Sequence, residues 1–254
     1  MDLSHAYAQM VLDEDSQKYT TISTHLGLFK YTRLPFGISS APAIFQRAIE
    51  SLLKGVKNVA VYLDDIILTG ESDAEHLKTL EVVLNILCKA GLRLKPSKCE
   101  FVKSEVVYLG HKISQSGLEP VKVKVEAIVG APAPTNKTEL QSFLGLLNYY
   151  GKFLPDLSTR LAPLHKMLKK DIKWGWETEQ QNCFDSVKKL LTSAKVLAHY
   201  DWSKSLVLQC DASPYGVGAV LSQKGEDGVE KPIGFVSRTL NISEKIMPKS
   251  TGKV

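Results

Sequence analysis

The chain has 254 residues, 44% hydrophobic and 23% charged, a balance that suits one large or a few small globular domains and excludes disorder and low complexity. Its formal net charge of +5 is compatible with a phosphate-backbone partner, because Lys and Arg displace condensed counterions. Many proteins without such a partner are as basic, so charge alone selects no function.

Leu3–Leu12 mixes β-formers with polar residues, and Tyr19–Ser23 is a strand-like run. Leu34–Ser40 reads as a turn feeding a helix, with Ser40 as cap and Pro42 in the first turn. Phe45, Ala48, Ile49 and Leu52 then recur at helical spacing and predict one buried face. Val59–Tyr62 and Ile66–Thr69 are apolar, β-rich runs around an acidic centre, the pattern of a β-hairpin. Ser72 and Glu75 form a capping-box pattern. It opens a helix through Leu77, Leu80, Leu84 and Leu87 that Gly91 stops. Leu92–Ile113 predicts further strands.

Gly130-Ala131-Pro132-Ala133-Pro134 is a linker by composition. After it, Asn136 and Glu139 repeat the capping-box pattern, and Leu140, Phe143, Leu144 and Leu147 follow at i, i+3, i+4, i+7. Pro155 and Pro163 divide the next helical stretch, and Phe184, Val187 and Leu191 mark one more helix. From Ser205 the period returns to β: Leu206–Asp211, Gly218–Leu221 and Ile233–Val236. The fold class is therefore α+β, with a helical middle third and a β-rich end.

The 4 cysteines, Cys88, Cys99, Cys183 and Cys210, include no C-x-x-C pair, which points to a reduced, intracellular protein. Cys183 and Cys210 fall in apolar patterns and read as core residues. No apolar run approaches the ~20 residues of a membrane helix, so no membrane partner is expected. The stretch Met1–His5 has neither the basic start nor the apolar run of a signal peptide.

The chemistry centres on Asp64 and Asp65. An acidic pair in a turn is commonly just solvated, and a tetrapeptide such as Tyr62-Leu63-Asp64-Asp65 recurs by accident. Its apolar flanks argue for a packed hairpin, where like charges repel and lose hydration. A cation relieves that, and magnesium favours a few carboxylates plus phosphate oxygens. Two-metal nucleotidyl transfer uses this arrangement. Asp2 is a candidate third carboxylate; a merely exposed Asp2 fits the spacing equally well.

Several motifs, in order, resemble those of reverse transcriptases of gypsy-type long-terminal-repeat retrotransposons. Asp2-Leu3-Ser4-His5-Ala6-Tyr7 is similar to the first catalytic motif. Arg33–Gln46, containing Leu34-Pro35-Phe36-Gly37, resembles the template- and nucleotide-contacting motif. Tyr62-Leu63-Asp64-Asp65 matches the tyrosine-x-aspartate-aspartate signature. Leu94–Cys99 resembles the lysine-bearing motif, and Tyr108-Leu109-Gly110-His111 the primer grip. Phe143–Tyr150 and Trp174–Phe184 look like the thumb and connecting region.

The resemblance implies a polymerase palm with an antiparallel sheet and helices over residues 1–115, thumb and connecting helices over 116–200, and a partial ribonuclease H-like domain over 201–254. It implies RNA-directed DNA polymerase activity within a Pol polyprotein, with Mg²⁺, or Mn²⁺ as the alternative, as cofactor. The partners implied are a primed RNA or DNA template, an RNA–DNA hybrid, deoxynucleoside triphosphates and the remaining Pol domains.

Residue by residue, Asp2 and Asp64 would be the main metal ligands, with Asp65 adjacent. Tyr7 would pack under the incoming sugar and exclude a 2′-hydroxyl, and Phe36 and Gly37 would shape the nucleotide pocket. Relatives in retroviruses often carry glutamine where Phe36 stands, so an apolar contact replaces a polar one. Lys98 would protonate the leaving pyrophosphate, with Lys95 as second choice; a solvated loop suits either lysine equally. Leu109, Gly110 and His111 would hold the primer end. Asp211 would be the first carboxylate of the ribonuclease H site.

The family places a basic fingers region before the Asp2 motif, and here Met1 precedes it directly, so the fingers are expected to be missing. Gly151 stands where relatives commonly have a basic residue. After Ser243-Glu244-Lys245, the stretch Ile246–Val254 lacks the glutamate expected there, which predicts a ribonuclease H segment without cleavage activity. Two functions follow: a polymerase fragment, or a catalytically inactive nucleic-acid-binding remnant whose salt-sensitive binding rests on phosphate contacts.

Overall fold

The computed structural model describes residues 1–241, 243 and 244. The chain forms two compact units, Met1–Lys103 and Ser104–Val254. Helix and strand are mixed throughout, as the α+β reading expects.

The first unit contains α1 (Glu14–Lys18), the exposed hairpin β1–β2 (Thr21–Thr24, Gly27–Lys30), α2 (Ala41–Leu52), the hairpin β3–β4 (Val59–Tyr62, Asp65–Leu68) and α3 (Asp73–Lys89). Its core gathers Leu3, Ala6, Phe45, Ile49, Leu53, Ile66, Val83 and Leu87. Two helical faces are rotated from their predicted positions. On α2 the buried set is Ala41, Phe45, Ile49 and then Leu53, which is 6% exposed; Leu52 is 40% exposed. The spacing is a strict i, i+4 row, so the residue after the helix completes the face and Leu52 turns to solvent. On α3 Val83 and Leu87 are buried, Leu80 is half-buried, and Leu77 and Leu84 are exposed.

The ends of these helices follow local chemistry, with one exception. Ser40 stands in a helical conformation (φ −84°, ψ −12°), and its side chain makes no capping bond. Its hydroxyl is therefore not the predicted cap, and Pro42 alone marks the start. Ser72 does cap α3, accepting from the Glu75 N–H at 3.3 Å, while Glu75 reaches back to the Glu71 N–H. At the other end Gly91 adopts φ +72°. The Gly91 N–H bonds the Cys88 carbonyl and the Leu92 N–H the Leu87 carbonyl, the Schellman pattern that glycine allows.

The second unit opens with the antiparallel meander β5–β6–β7 (Glu105–Tyr108, His111–Ser114, Gly117–Pro120). Of the strands expected over Leu92–Ile113, only β5 and β6 form, with a single bridge at Leu94 before them. The α-helices that follow are α4 (Lys122–Gly130), α5 (Lys137–Tyr149), α6 (Leu157–Arg160), α7 (Ala162–Met167) and α8 (Thr178–Thr192). Asn136 caps α5 by accepting from the Glu139 N–H at 2.9 Å, and Leu140, Phe143, Leu144 and Leu147 all lie in the core. The stretch divides near both prolines, as expected: Pro155 lies just before α6, and Pro163 sits in the first turn of α7, where its missing N–H is unneeded. Phe184, Val187 and Leu191 of α8 join the same core.

The chain ends its described course in a three-stranded antiparallel sheet ordered β10–β9–β8 (Glu230–Thr239, Gly216–Lys224, Leu206–Ala212). Cys210, on the edge strand β8, is exposed and not a core residue. Cys183 is half-buried, and burial pushes its thiol up to about 11. Gly117 (φ +136°) is fixed by space: a Cβ there would lie 2.1 Å from the Leu197 carbonyl, which bonds the Leu118 N–H. No helix among the described residues is long and apolar enough to cross a membrane.

The α2 face gives a direct test. Leu53→Ala is expected to cost about 2–5 kcal/mol, as for a truncated core leucine, whereas Leu52→Ala changes stability by at most about 0.5 kcal/mol. Proteolysis in increasing urea measures both; a larger cost for Leu52→Ala than for Leu53→Ala would put the buried face where the sequence pattern alone put it.

Candidate functional site

Asp64 sits at the tip of β3–β4. Tyr62 pairs with Asp65, so Leu63 and Asp64 form a two-residue loop, and Leu63 takes φ +52°. Such tight loops need positive φ, which costs a leucine more than a glycine. Gln46 of α2 straddles this loop. Its Oε1 accepts the Leu63 N–H at 2.6 Å and its Nε2 donates to the Val61 carbonyl at 3.0 Å. Glu50 accepts from the same amide at 2.7 Å.

The stretch Met1–Ser4 runs antiparallel to β4. The Leu3 N–H donates to the Asp64 carbonyl at 3.0 Å and the Ile66 N–H to the Met1 carbonyl at 2.9 Å, making Asp2 and Asp65 direct bridge partners. Residues directly opposite across such a bridge carry their side chains on one face. On its other side the Asp2 carbonyl accepts the Lys95 N–H at 2.9 Å, and the Ser4 N–H bonds the Arg93 carbonyl. Gln9 ties these two segments together: it donates to the carbonyls of Ser4 and Arg93 and accepts the Arg93 N–H at 2.6 Å.

Asp65 therefore stands opposite Asp2 and next to Asp64, within reach of the charge of both. Burial raises the Asp65 carboxyl above its usual range, and the charges of Asp64 and Asp2 raise it further, against the pull of the N-terminal amine and Lys98. Lys98 ends a short 3-10 turn, Pro96–Lys98, and its Nζ lies 3.3 Å from Asp2 Oδ2. Lys95 touches this site through its backbone. The mutual repulsion and the all-oxygen donor set fit a hard divalent cation, although no group of three His, Cys, Asp or Glu is arranged around one point among the described residues.

Tyr7 lies in the 3-10 turn Ala6–Gln9. Its ring is 5.3 Å from Phe36 and 5.6 Å from Phe45. Phe45 is core and Phe36 is exposed, so Tyr7 links the core to a solvent-facing ring. Gly37, next to Phe36, has φ +90°.

The remaining sequence-predicted residues belong to the second unit. Tyr108 pairs with His111, leaving Leu109 (φ +45°) and Gly110 (φ +70°) as the two-residue loop. His111 packs against Tyr149, Tyr150 and Phe153, and its Nδ1 is buried without a partner among the described residues. Burial, with Lys152 and Lys124 nearby, pushes its pKa down to about 4. Asp211 lies on exposed β8, where its Oδ1 accepts the Ala212 N–H at 2.9 Å. Glu244 grips the Arg238 guanidinium with both oxygens at 2.6 and 2.8 Å. The segment 245–254, read in the sequence as lacking a glutamate, lies outside the described residues.

Gln46, Gln9 and Tyr149 were missed as site residues. Gln46 ends the nucleotide-contacting motif, a weak signal, and Gln9 carries none, because the partners that place them in the site, Val61 and Leu63 for Gln46 and Arg93 for Gln9, lie 15 to 84 residues away.

Residues 1–113 match the family described as reverse transcriptase (RNA-dependent DNA polymerase). Residues 176–251 match the RNase H-like domain found in reverse transcriptase. Two stretches of the chain, in this order, are thus similar to a reverse transcriptase domain and to an RNase H-like domain. Among its relatives, the retrovirus-related Pol polyprotein from transposon 297 of Drosophila melanogaster is 41% identical over 247 residues, covering 96% of this chain and 23% of the polyprotein. The transposon Tf2-3 polyprotein of Schizosaccharomyces pombe is 37% identical over 243 residues, covering 95% and 18%. The chain therefore spans under a quarter of the length of these relatives. Among solved structures, the foamy viral protease-reverse transcriptase dRH in complex with double-stranded DNA is similar, with TM-score 0.87 and 30% identity over 96% of this chain and 43% of that one. The foamy viral protease-reverse transcriptase in complex with an RNA/DNA hybrid gives TM-score 0.84 and 30% identity, covering 96% and 33%.

The low pKa of His111 has a measurable consequence. In the unfolded chain His111 takes up a proton as pH falls through about 6.5, whereas in the fold it resists until about 4. The stability it permits is complete above pH 6.5 and is lost as pH falls from there toward 4. Between about pH 7 and 4.5 the wild-type second unit should lose more stability than His111→Phe, followed by the fluorescence of Trp174 and Trp176. Parallel pH profiles would show that His111 titrates normally.

Proposed function

We propose that this chain is the palm, thumb and opening RNase H-like portion of a gypsy-type retrotransposon reverse transcriptase. It would lengthen a primer with deoxynucleotides on an RNA or DNA template and work beside the remaining domains of a Pol polyprotein. The observation that carries the reading is the Asp2–Asp65 bridge beside Asp64, within the residues that match the reverse transcriptase family. The division into residues 1–115, 116–200 and 201–254 belongs to the same proposal.

Asp2 and Asp64 are the residues that would hold Mg²⁺, or Mn²⁺ in its place, with Asp65 adjacent. Bound there, the ion neutralises the carboxylates and lowers the barrier for 3′-hydroxyl attack on the α-phosphate. The chain's own groups do the rest. Burial and the charges of Asp64 and Asp2 push the Asp65 carboxyl up, a crowding of negative charge that a bound cation would relieve, which supports a cation-binding role. Lys98, whose Nζ lies 3.3 Å from Asp2, would be the group that passes a proton to the departing pyrophosphate. Tyr7 and Phe36, their rings 5.3 Å apart and tilted by 55°, would offer the incoming sugar an apolar, angled wall that excludes a 2′-hydroxyl, and Gly37, at φ +90°, lets the backbone turn away beside it. Leu109, Gly110 and His111 would hold the primer end, and a neutral His111 would do so without adding charge. Asp211 would be the first carboxylate of the RNase H-like site. Complexes of the foamy viral enzyme with double-stranded DNA and with an RNA/DNA hybrid support nucleic acid as the partner.

Magnesium-dependent extension of a primer on an RNA template tests the reading. Asp64→Asn should reduce extension by at least on the order of a hundredfold, since loss of a metal-site group costs that much or more. Salt-sensitive binding of the primed template should stay within about twofold. Binding without extension in the unmodified chain would favour the inactive nucleic-acid-binding remnant.

A further inference from the structure

We propose that Tyr149 is a positioning residue for the Leu109–Gly110 turn; this rests on the reading of Leu109–His111 as the segment that holds the primer end.

The turn has a stability problem of its own. Both loop residues have positive φ, +45° at Leu109 and +70° at Gly110. Such pairs suit a tight hairpin, but leucine enters the left-handed region only at a cost. Leu109 is exposed, so burial of its side chain does not offset that cost. Something outside the hairpin must hold the conformation.

Tyr149 meets all three residues of the segment. Its hydroxyl donates to the Leu109 carbonyl. It lies so close to Gly110 that a Cβ there would sit 2.5 Å from the Tyr149 oxygen. Its ring stacks on His111, with centroids 5.1 Å apart and planes 10° from parallel. Tyr150 meets the His111 ring edge-on at 6.2 Å, and Phe153 packs at 5.6 Å, so the imidazole is enclosed by aromatic surface.

The brace has a rigid base. Tyr149 is the last residue of α5. Leu140, Phe143, Leu144 and Leu147 anchor that helix in the core of the second unit, so the position of the hydroxyl is set by the core. The structure thus couples a buried helical face to the geometry of an exposed turn through one side chain. Gly110 is required twice, by its φ and by the tyrosine that occupies the space of a Cβ.

Tyr149→Phe is the test, because it deletes the hydroxyl and keeps the ring on His111. Two quantities are read on the full chain: amide hydrogen exchange of the 108–111 segment, and the Kd for a fluorescent primer annealed to an RNA template, neither of which needs catalysis. The expected result is faster exchange in that segment and a Kd raised about fivefold, the size of one net hydrogen bond. Gly110→Ala should also cost less in the Tyr149→Phe background than alone, because the blocking oxygen has gone while the φ penalty is unchanged. Unchanged exchange with additive effects of the two substitutions would overturn the brace. Faster exchange with unchanged Kd would instead overturn the primer-holding reading, and with it the positioning role, while leaving the brace as a structural contact.

Discussion

Three carboxylates do not gather unaided, and in the first unit the force that holds them is backbone hydrogen bonding. Leu3 and Ile66 bond across the Met1–Ser4 and β4 edge, and Ser4 and Lys95 bond on the other side. These bonds are blind to side-chain charge, and each contributes about 0.5–1.5 kcal/mol net. Leu3 and Ile66, both buried in the same core, fasten the two strands from beneath. The burial and the repulsion that raise the Asp65 carboxyl are therefore sustained by the ladder and the core under it. A cation-binding site needs such a frame, because the ligands must stay together before the ion arrives.

Glutamine side chains complete that frame. Gln46 holds the loop that carries Asp64, and Gln9 locks the Asp2 segment to Arg93. Each uses the same property: an amide offers a donor and an acceptor at once, so it can satisfy two backbone groups of one or two strands. Their neutral amides add no net charge to a site whose electrostatics are already crowded.

The second unit solves a different problem. Its helical core, from Ile128 to Leu197, is ordinary close packing, but at the end of α5 it passes into an aromatic cluster around His111. Burial there leaves the imidazole neutral in the fold at neutral pH. The cluster also brings Tyr149 against the backbone of the β5–β6 loop. Core and turn are thus mechanically linked within that unit, in the same way that α2 is linked to the β3–β4 loop through Gln46 in the first.

The sequence by itself determined the elements whose cause is local. The β3–β4 hairpin, the Asn136–Glu139 cap, the Gly91 stop and the buried row of α5 are dictated by side-chain periodicity and by groups within about four residues. The motifs also named the acidic residues, because their order along the chain is itself information. Tertiary structure decided the rest. Whether Asp2 is exposed or stands beside Asp65 depends on a bridge spanning more than sixty residues, which no local pattern encodes. Leu53 rather than Leu52 closes the α2 face, because the core's position selects the row, and Ser40 loses its capping role because its backbone is already helical. Gln9, Gln46 and Tyr149 escaped notice for the same reason: a polar side chain has no period, and its partner is known only once distant segments have been brought within reach of a hydrogen bond.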